Sequence, residues 1–125
     1  MPSSGARPKA LNGGELQKKV IELGGTFGWR IAHFRSVQTK VRGGGFRYLT
    51  PVAADGKGFP DLMLVHPERG VLMFREMKGQ YEPLSEEQKQ WGAWLNEAGQ
   101  DWDVWRPKHW EDIVATLTFG RGGAQ

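Results

Sequence analysis

The chain has 125 residues, with 17 Lys and Arg against 14 Asp and Glu, six tryptophans and no cysteine. That length suits one domain with one core. The missing cysteine excludes disulfides, thiolate zinc sites and cysteine nucleophiles, and no apolar run is long enough to span a membrane.

The charge is lopsided. Residues 1–57 carry a net +7 and residues 58–125 a net −4. A basic half beside an acidic half suits a protein whose basic surface meets a polyanion. Scattered solvated cations give the same count, so charge alone leaves both readings open.

Residues 1–11 are rich in Pro, Ser, Gly and cations and are expected to be a disordered tail. They hold no apolar stretch of the kind a signal peptide needs. Asn12 then caps a predicted helix over 12–23, with Leu16, Val20, Ile21 and Leu23 on one face and Gly24-Gly25 as the stop. Glu15 stands three residues after Asn12, the spacing of a capping box. The cap is favoured for Glu15, with a role near the later charged strands as the alternative. Residues 26–38 alternate as a strand, with His33 and Arg35 near its far end. A lone His is more often structural than catalytic, and no second His stands at a zinc-ligand spacing.

Residues 40–57, KVRGGGFRYLTPVAADGK, are expected to be a long glycine-rich basic loop. Together with Arg30 and Arg35, its Lys40, Arg42, Arg47 and Lys57 can track phosphates, and Tyr48 can stack on a base. The loop has glycines but no GK[ST] pattern, which argues against an ATP site.

Residues 58–79, GFPDLMLVHPERGVLMFREMKG, read as two apolar strands joined by a turn. Asp61, Glu76 and Lys78 are charges that a core strand should avoid unless they are paired or hold a metal. Glu76 and Lys78 share a face because they are two apart on one strand. Asp61 joins them only if it lies opposite Glu76, which sets Val65 against Leu72 and His66 against Val71 and leaves a four-residue turn, 67–70. A turn one residue shorter would put Asp61 opposite Arg75 instead.

Ser85 and Gln88 form a second capping-box pattern and open a helix to about Ala98, with Gly99 after it. Gln88 is either the cap alone or a polar group at the end of that helix's buried stripe. Residues 101–106 alternate as a strand, Pro107 opens a last helix, and 119–125 are expected to be a flexible tail. Between the tails, 12–118 form one domain. The element order α-β-β-β-α-β-α predicts an α/β (α+β) fold with a sheet flanked by helices.

Asp61 and Glu76 are hard oxygen ligands for Mg²⁺ or Mn²⁺, and the Met77 backbone carbonyl can add a third. Lys78 can orient a water and stabilise developing negative charge. Pro60-Asp61 followed by Glu76-Met77-Lys78 resembles the PD-(D/E)xK nuclease motif. The wider string GFPDLMLV…GVLMFREMKG…LSEEQKQW resembles the VRR-NUC family of virus-type replication and repair nucleases. That resemblance implies a restriction-endonuclease-like core with a central mixed sheet. It implies a metal-dependent DNA endonuclease, with Asp61 and Glu76 on the metal and Lys78 as catalytic lysine. It also gives Glu15 a place near the metal and Gln88 a place in the site. Small members resemble Holliday junction resolvases, which implies a homodimer acting on branched DNA, in a phage or prophage protein of the bacterial cytoplasm. The other reading is a non-catalytic nucleic-acid-binding module that uses the basic half.

Overall fold

A computed structural model describes residues 11–34, 37–40, 43–44, 46–49 and 54–120. Helix α1, Gly13–Thr26, opens on Asn12. Asn12 Oδ1 accepts from the Glu15 N–H at 2.8 Å and Glu15 Oε1 accepts from the Asn12 N–H at 2.9 Å, so the capping box forms. The helix does not stop at Gly24-Gly25. Gly24 is buried on the same face as Leu16 and Val20. A Cβ there would stand 2.8 Å from Ile31 Cδ1, so the bare backbone lets the next strand close in. The helix ends at Phe27, whose N–H turns back to the Leu23 and Gly24 carbonyls.

The strands are β1 (Arg30–His33), β2 (Val37–Lys40), β3 (Phe46–Leu49), β4 (Leu62–His66), β5 (Val71–Met77) and β6 (Asp101–Trp105). Helix α2 is Glu86–Glu97; a 3-10 turn, Pro107–His109, leads into α3, Trp110–Thr118. Among the described residues the main sheet has the order β1-β4-β5-β6. Its first two ladders are antiparallel and the last is parallel. This is the mixed, helix-flanked sheet that the sequence predicts.

Two expectations change in detail. The strand over 26–38 shrinks to Arg30–His33, because α1 takes its first residue and β2 its last ones. The basic segment is not all loop, since β2 and β3 pair antiparallel, Val37 with Leu49 and Lys40 with Phe46. β-branched and aromatic residues favour that pairing, and Gly43 and Gly44, with φ of 90° and 101°, lie in its connection. The expected tails fall largely outside the described residues, at 1–10 and 121–125. Phe119, placed in the expected C-terminal tail, stacks on Trp29 with ring centroids 5.5 Å apart.

Strand alternation sorts the sheet's two faces. Leu62, Leu64, Met73, Met77 and Trp105 join Leu16 and Val20 of α1 and Ile113 and Leu117 of α3 in the core. Trp29 donates its indole N–H to the Leu117 carbonyl at 2.9 Å. Phe74 turns to the other face and meets Phe59, which meets Trp91 of α2. Trp102 lies against Gly92, where a Cβ would fall 2.6 Å from its ring. No helix among the described residues is long and apolar enough to cross a membrane.

Gly58 sits where the chain crosses the first turn of α2, just before Pro60-Asp61. Its φ is +85°, and a Cβ would lie 2.5 Å from the Glu87 carbonyl carbon. Gly58→Ala therefore meets both backbone strain and a clash that no side-chain rotation relieves. We expect a loss of about 2–4 kcal/mol, read as a drop in Tm of roughly 8 °C or more. A Tm within a degree or two of wild type would contradict this packing.

Candidate active site

The β4–β5 ladder pairs Leu62 with Arg75, Val65 with Leu72 and His66 with Val71. One further step sets Asp61 opposite Glu76, and the turn between the strands is 67–70. This is the register the charged residues demand. Arg75, between them in sequence, faces away. It donates to the Asp101 carboxylate at 2.9 Å and to the Asp101 and Phe74 carbonyls, and its guanidinium lies over the Trp105 ring.

A cavity of about 510 Å³ opens at this end of the sheet, and Asp61, Glu76, Met77, Lys78 and Gln88 all line it. Asp61 Oδ2 accepts from the Met77 N–H at 2.9 Å, which fixes one oxygen across the ladder. Glu76 is 2% exposed. Its Oε2 accepts from Gln88 Nε2 at 2.9 Å, while its Oε1 is buried without a hydrogen-bond partner. Lys78 is buried, with its ammonium 3.5 Å from Glu82 Oε2. Its backbone N–H joins the Trp105 carbonyl at 3.0 Å, continuing the parallel pairing beyond β5.

Gln88 does both jobs that its position allows. Its Oε1 accepts from the Ser85 N–H at 2.8 Å and its backbone N–H donates to Ser85 Oγ, so α2 is capped while the amide NH₂ reaches Glu76. Glu15 is different. Its carboxylate takes the Asn12 N–H, and it does not line the cavity. The same helix turn brings Gln17 there instead, hydrogen-bonded to His33, which also lines the cavity. Spacing gave no sign of Gln17, and His33 read as a lone histidine.

The basic residues are dispersed. Arg30 is exposed at the end of β1 opposite His33. Lys40 lies in β2, Arg47 and Tyr48 in β3, and Arg35 and Arg42 lie outside the described residues. Lys57 is 3.6 Å from Glu87 across the exposed start of α2. Sequence reasoning also missed Glu82, which lines the cavity and faces Lys78.

Burial, and then the neighbouring Asp61 charge, push the Glu76 carboxyl from an ordinary 4.5 up to about 9, against the pull of Lys78. A partnerless buried oxygen beside a second carboxylate is a polar arrangement that a cation would complete. The carboxyl oxygens of Asp61 and Glu76 are hard donors, which suits Mg²⁺ or Mn²⁺. No group of three or more His, Cys, Asp or Glu gathers at metal-binding distance among the described residues. Asp61 and Glu76 would be the carboxylates open to such an ion, and Mg²⁺ commonly binds by one or two carboxylates and retains waters.

The sequence model of the VRR-NUC domain family matches residues 39–108, more than half of the chain. The match takes in Asp61, Glu76, Lys78 and Gln88 and leaves out Glu15, Gln17 and His33. No curated protein matches the chain, and no solved structure does.

The raised Glu76 carboxyl makes metal-free stability depend on pH with a definite sign. Folding takes up a proton at Glu76 between pH 4.5 and about 9. The neutral form's contribution is thus full below 4.5 and is lost as pH rises toward 9. Glu76→Gln has no charge to bury. Thermal unfolding in EDTA should show the variant gaining Tm on wild type steadily as pH rises from 5 to 9. Parallel Tm–pH curves for the two proteins would rule this out.

Proposed function

The chain belongs to the VRR-NUC domain family, a nuclease-type family, and from that premise we propose that it is a Mg²⁺- or Mn²⁺-dependent DNA endonuclease centred on Asp61, Glu76 and Lys78. The observation that carries this reading is the β4–β5 register, which brings Asp61, Glu76 and Lys78 to one cavity. Asp61, Glu76 and the Met77 carbonyl would hold the metal. When bound, the ion neutralises charge at the scissile phosphate and lowers the pKa of an attacking water.

The chain's own residues do the rest. Met77 N–H holds Asp61 Oδ2, and Gln88 holds Glu76 Oε2, so one oxygen of each carboxyl is fixed in place. Fixed acids need no rearrangement when substrate arrives. Lys78, on the Glu76 face, stabilises negative charge as the phosphate is attacked. Glu82 holds its ammonium at the cavity rather than in solvent. Glu15 is left out of the metal set, because it caps α1 and does not line the cavity. The basic residues Arg30, Arg35, Lys40, Arg42, Arg47 and Lys57, with Tyr48, would track DNA outside the cavity. The finer reading is a homodimer that resolves branched DNA, a two-fold arrangement that presents two sites to two strands.

The test offers purified protein four-way junction, flap, duplex and single-stranded DNA with Mg²⁺, Mn²⁺ or EDTA. We expect cutting with either metal and none in EDTA. Asp61→Ala and Lys78→Ala should each lose cutting by at least about a hundredfold while DNA binding and Tm stay near wild type. Full activity in purified Lys78→Ala would sink the reading. Salt-sensitive binding with no metal-dependent product would replace it with a non-catalytic binding module.

A further inference from the structure

The turn after the Glu76–Lys78 strand carries a large side chain held almost wholly in water, since Tyr81 is 91% exposed. The turn beneath it is unusually well fastened for a connector. Glu82 N–H donates to the Gly79 carbonyl at 3.3 Å, and Glu82 Oε1 accepts from the Gly79 N–H at 2.9 Å. Arg106 Nη1 donates to the Gly79 carbonyl at 2.8 Å and to the Glu82 carbonyl at 2.7 Å. Lys108 N–H donates to Gln80 Oε1 at 3.1 Å. None of these bonds involves Tyr81, yet together they fix the backbone on both sides of it.

The turn is also continuous with the cavity. Lys78 and Glu82 bracket it, both line the cavity, and they pair with each other. Phe34, 41% exposed, also lines the cavity. Lys108, which is exposed, is tied to the same turn through its backbone N–H. An exposed aromatic on a fastened turn, between two residues that line the cavity, has the chemistry of a nucleotide contact: a face for a base close in sequence to a site for its phosphate.

We propose that Tyr81 is a stacking platform for an unpaired nucleobase of the DNA substrate, next to the phosphate held in the cavity. The proposal rests on the nuclease reading and narrows its substrate. In an intact duplex both faces of every internal base are already stacked, so a projecting ring finds no free face. A base at a single strand, flap, nick or branch point has one. Tyrosine suits the task because its ring gives a large contact with two side-chain torsions to order, and the fastened turn has already ordered its backbone.

The experiment uses the full chain as wild type, Tyr81→Ala and Tyr81→Phe, on flap and single-stranded DNA and on blunt duplex. Once the cut is mapped, the flanking base is replaced by an abasic site. Tyr81→Ala should raise KM on flap and single-stranded DNA roughly tenfold, with kcat, Tm and oligomeric state unchanged, and Tyr81→Phe should keep wild-type values. The abasic site should cost wild type the same factor and cost Tyr81→Ala nothing more. As a binding readout, 2-aminopurine at that position in EDTA should be quenched by wild type and not by Tyr81→Ala. Wild-type cutting that is insensitive to Tyr81→Ala, abasic and Tyr81 losses that simply multiply, a preference for intact duplex, or a changed oligomeric state in Tyr81→Ala each overturns the proposal. Tyr81-dependent quenching without any metal-dependent cutting would uphold the stacking contact and overturn the nuclease reading instead.

Discussion

Two carboxyl groups, Asp61 and Glu76, meet at one end of the β4–β5 ladder, and burial together with the Asp61 charge pushes the pKa of Glu76, nearly sealed from water, up to about 9. Much of the nearby structure answers that constraint. The Met77 N–H takes one oxygen of Asp61, and Gln88 takes one oxygen of Glu76. Lys78 brings a positive charge to the same face, and Glu82 keeps that charge in place. What is left over includes Glu76 Oε1, buried without a hydrogen-bond partner at the wall of the cavity. A core that only had to fold would place apolar side chains here, since well-packed hydrophobic residues often match or exceed a buried polar set in stability.

The capping residues show how short polar side chains serve two levels of structure at once. Gln88 closes the first turn of α2 through its carbonyl oxygen and backbone N–H, and that leaves its NH₂ free to point at Glu76. The helix is thus anchored by the residue that orients the acid. Glu15 has no such spare group. Its Oε1 closes the capping box, and the residue does not line the cavity. An amide can cap and still donate; a carboxylate can only accept.

The sequence made the site's register legible because side chains on a strand alternate strictly, so a turn of stated length fixes which residues face each other. Val65 opposite Leu72 and a 67–70 turn follow from asking that Asp61 and Glu76 share a face, and the ladder has that pairing. The helices were legible from their caps. What was hidden depended on distant partners. Gly24-Gly25 reads as a helix stop, but packing against Ile31 carries α1 onward. The β2–β3 hairpin was obscured by the glycines in its connection. Gln17 and His33 lie far apart in sequence and meet only because α1 packs beside β1. Arg75 sits buried because Asp101, on another strand, lies within reach of it. Local patterns cannot reveal such pairings before the topology is known.

Arg106 joins the end of the last strand to the turn that follows Lys78, through the Gly79 and Glu82 carbonyls. That contact has a consequence for the order in which the protein can be completed. During synthesis the acids, the lysine and Gln88 all emerge before β6 and Arg106. A nascent chain that stops at residue 100 holds every candidate reactive group but lacks the strand that extends the pairing past Lys78 and the guanidinium that fastens its turn. Parallel pairing with β6 must also wait for α2 to cross over, and such long-range closures come late in folding. The assembled cavity is therefore a property of the nearly finished chain, and a ribosome-bound fragment carries its chemistry unassembled.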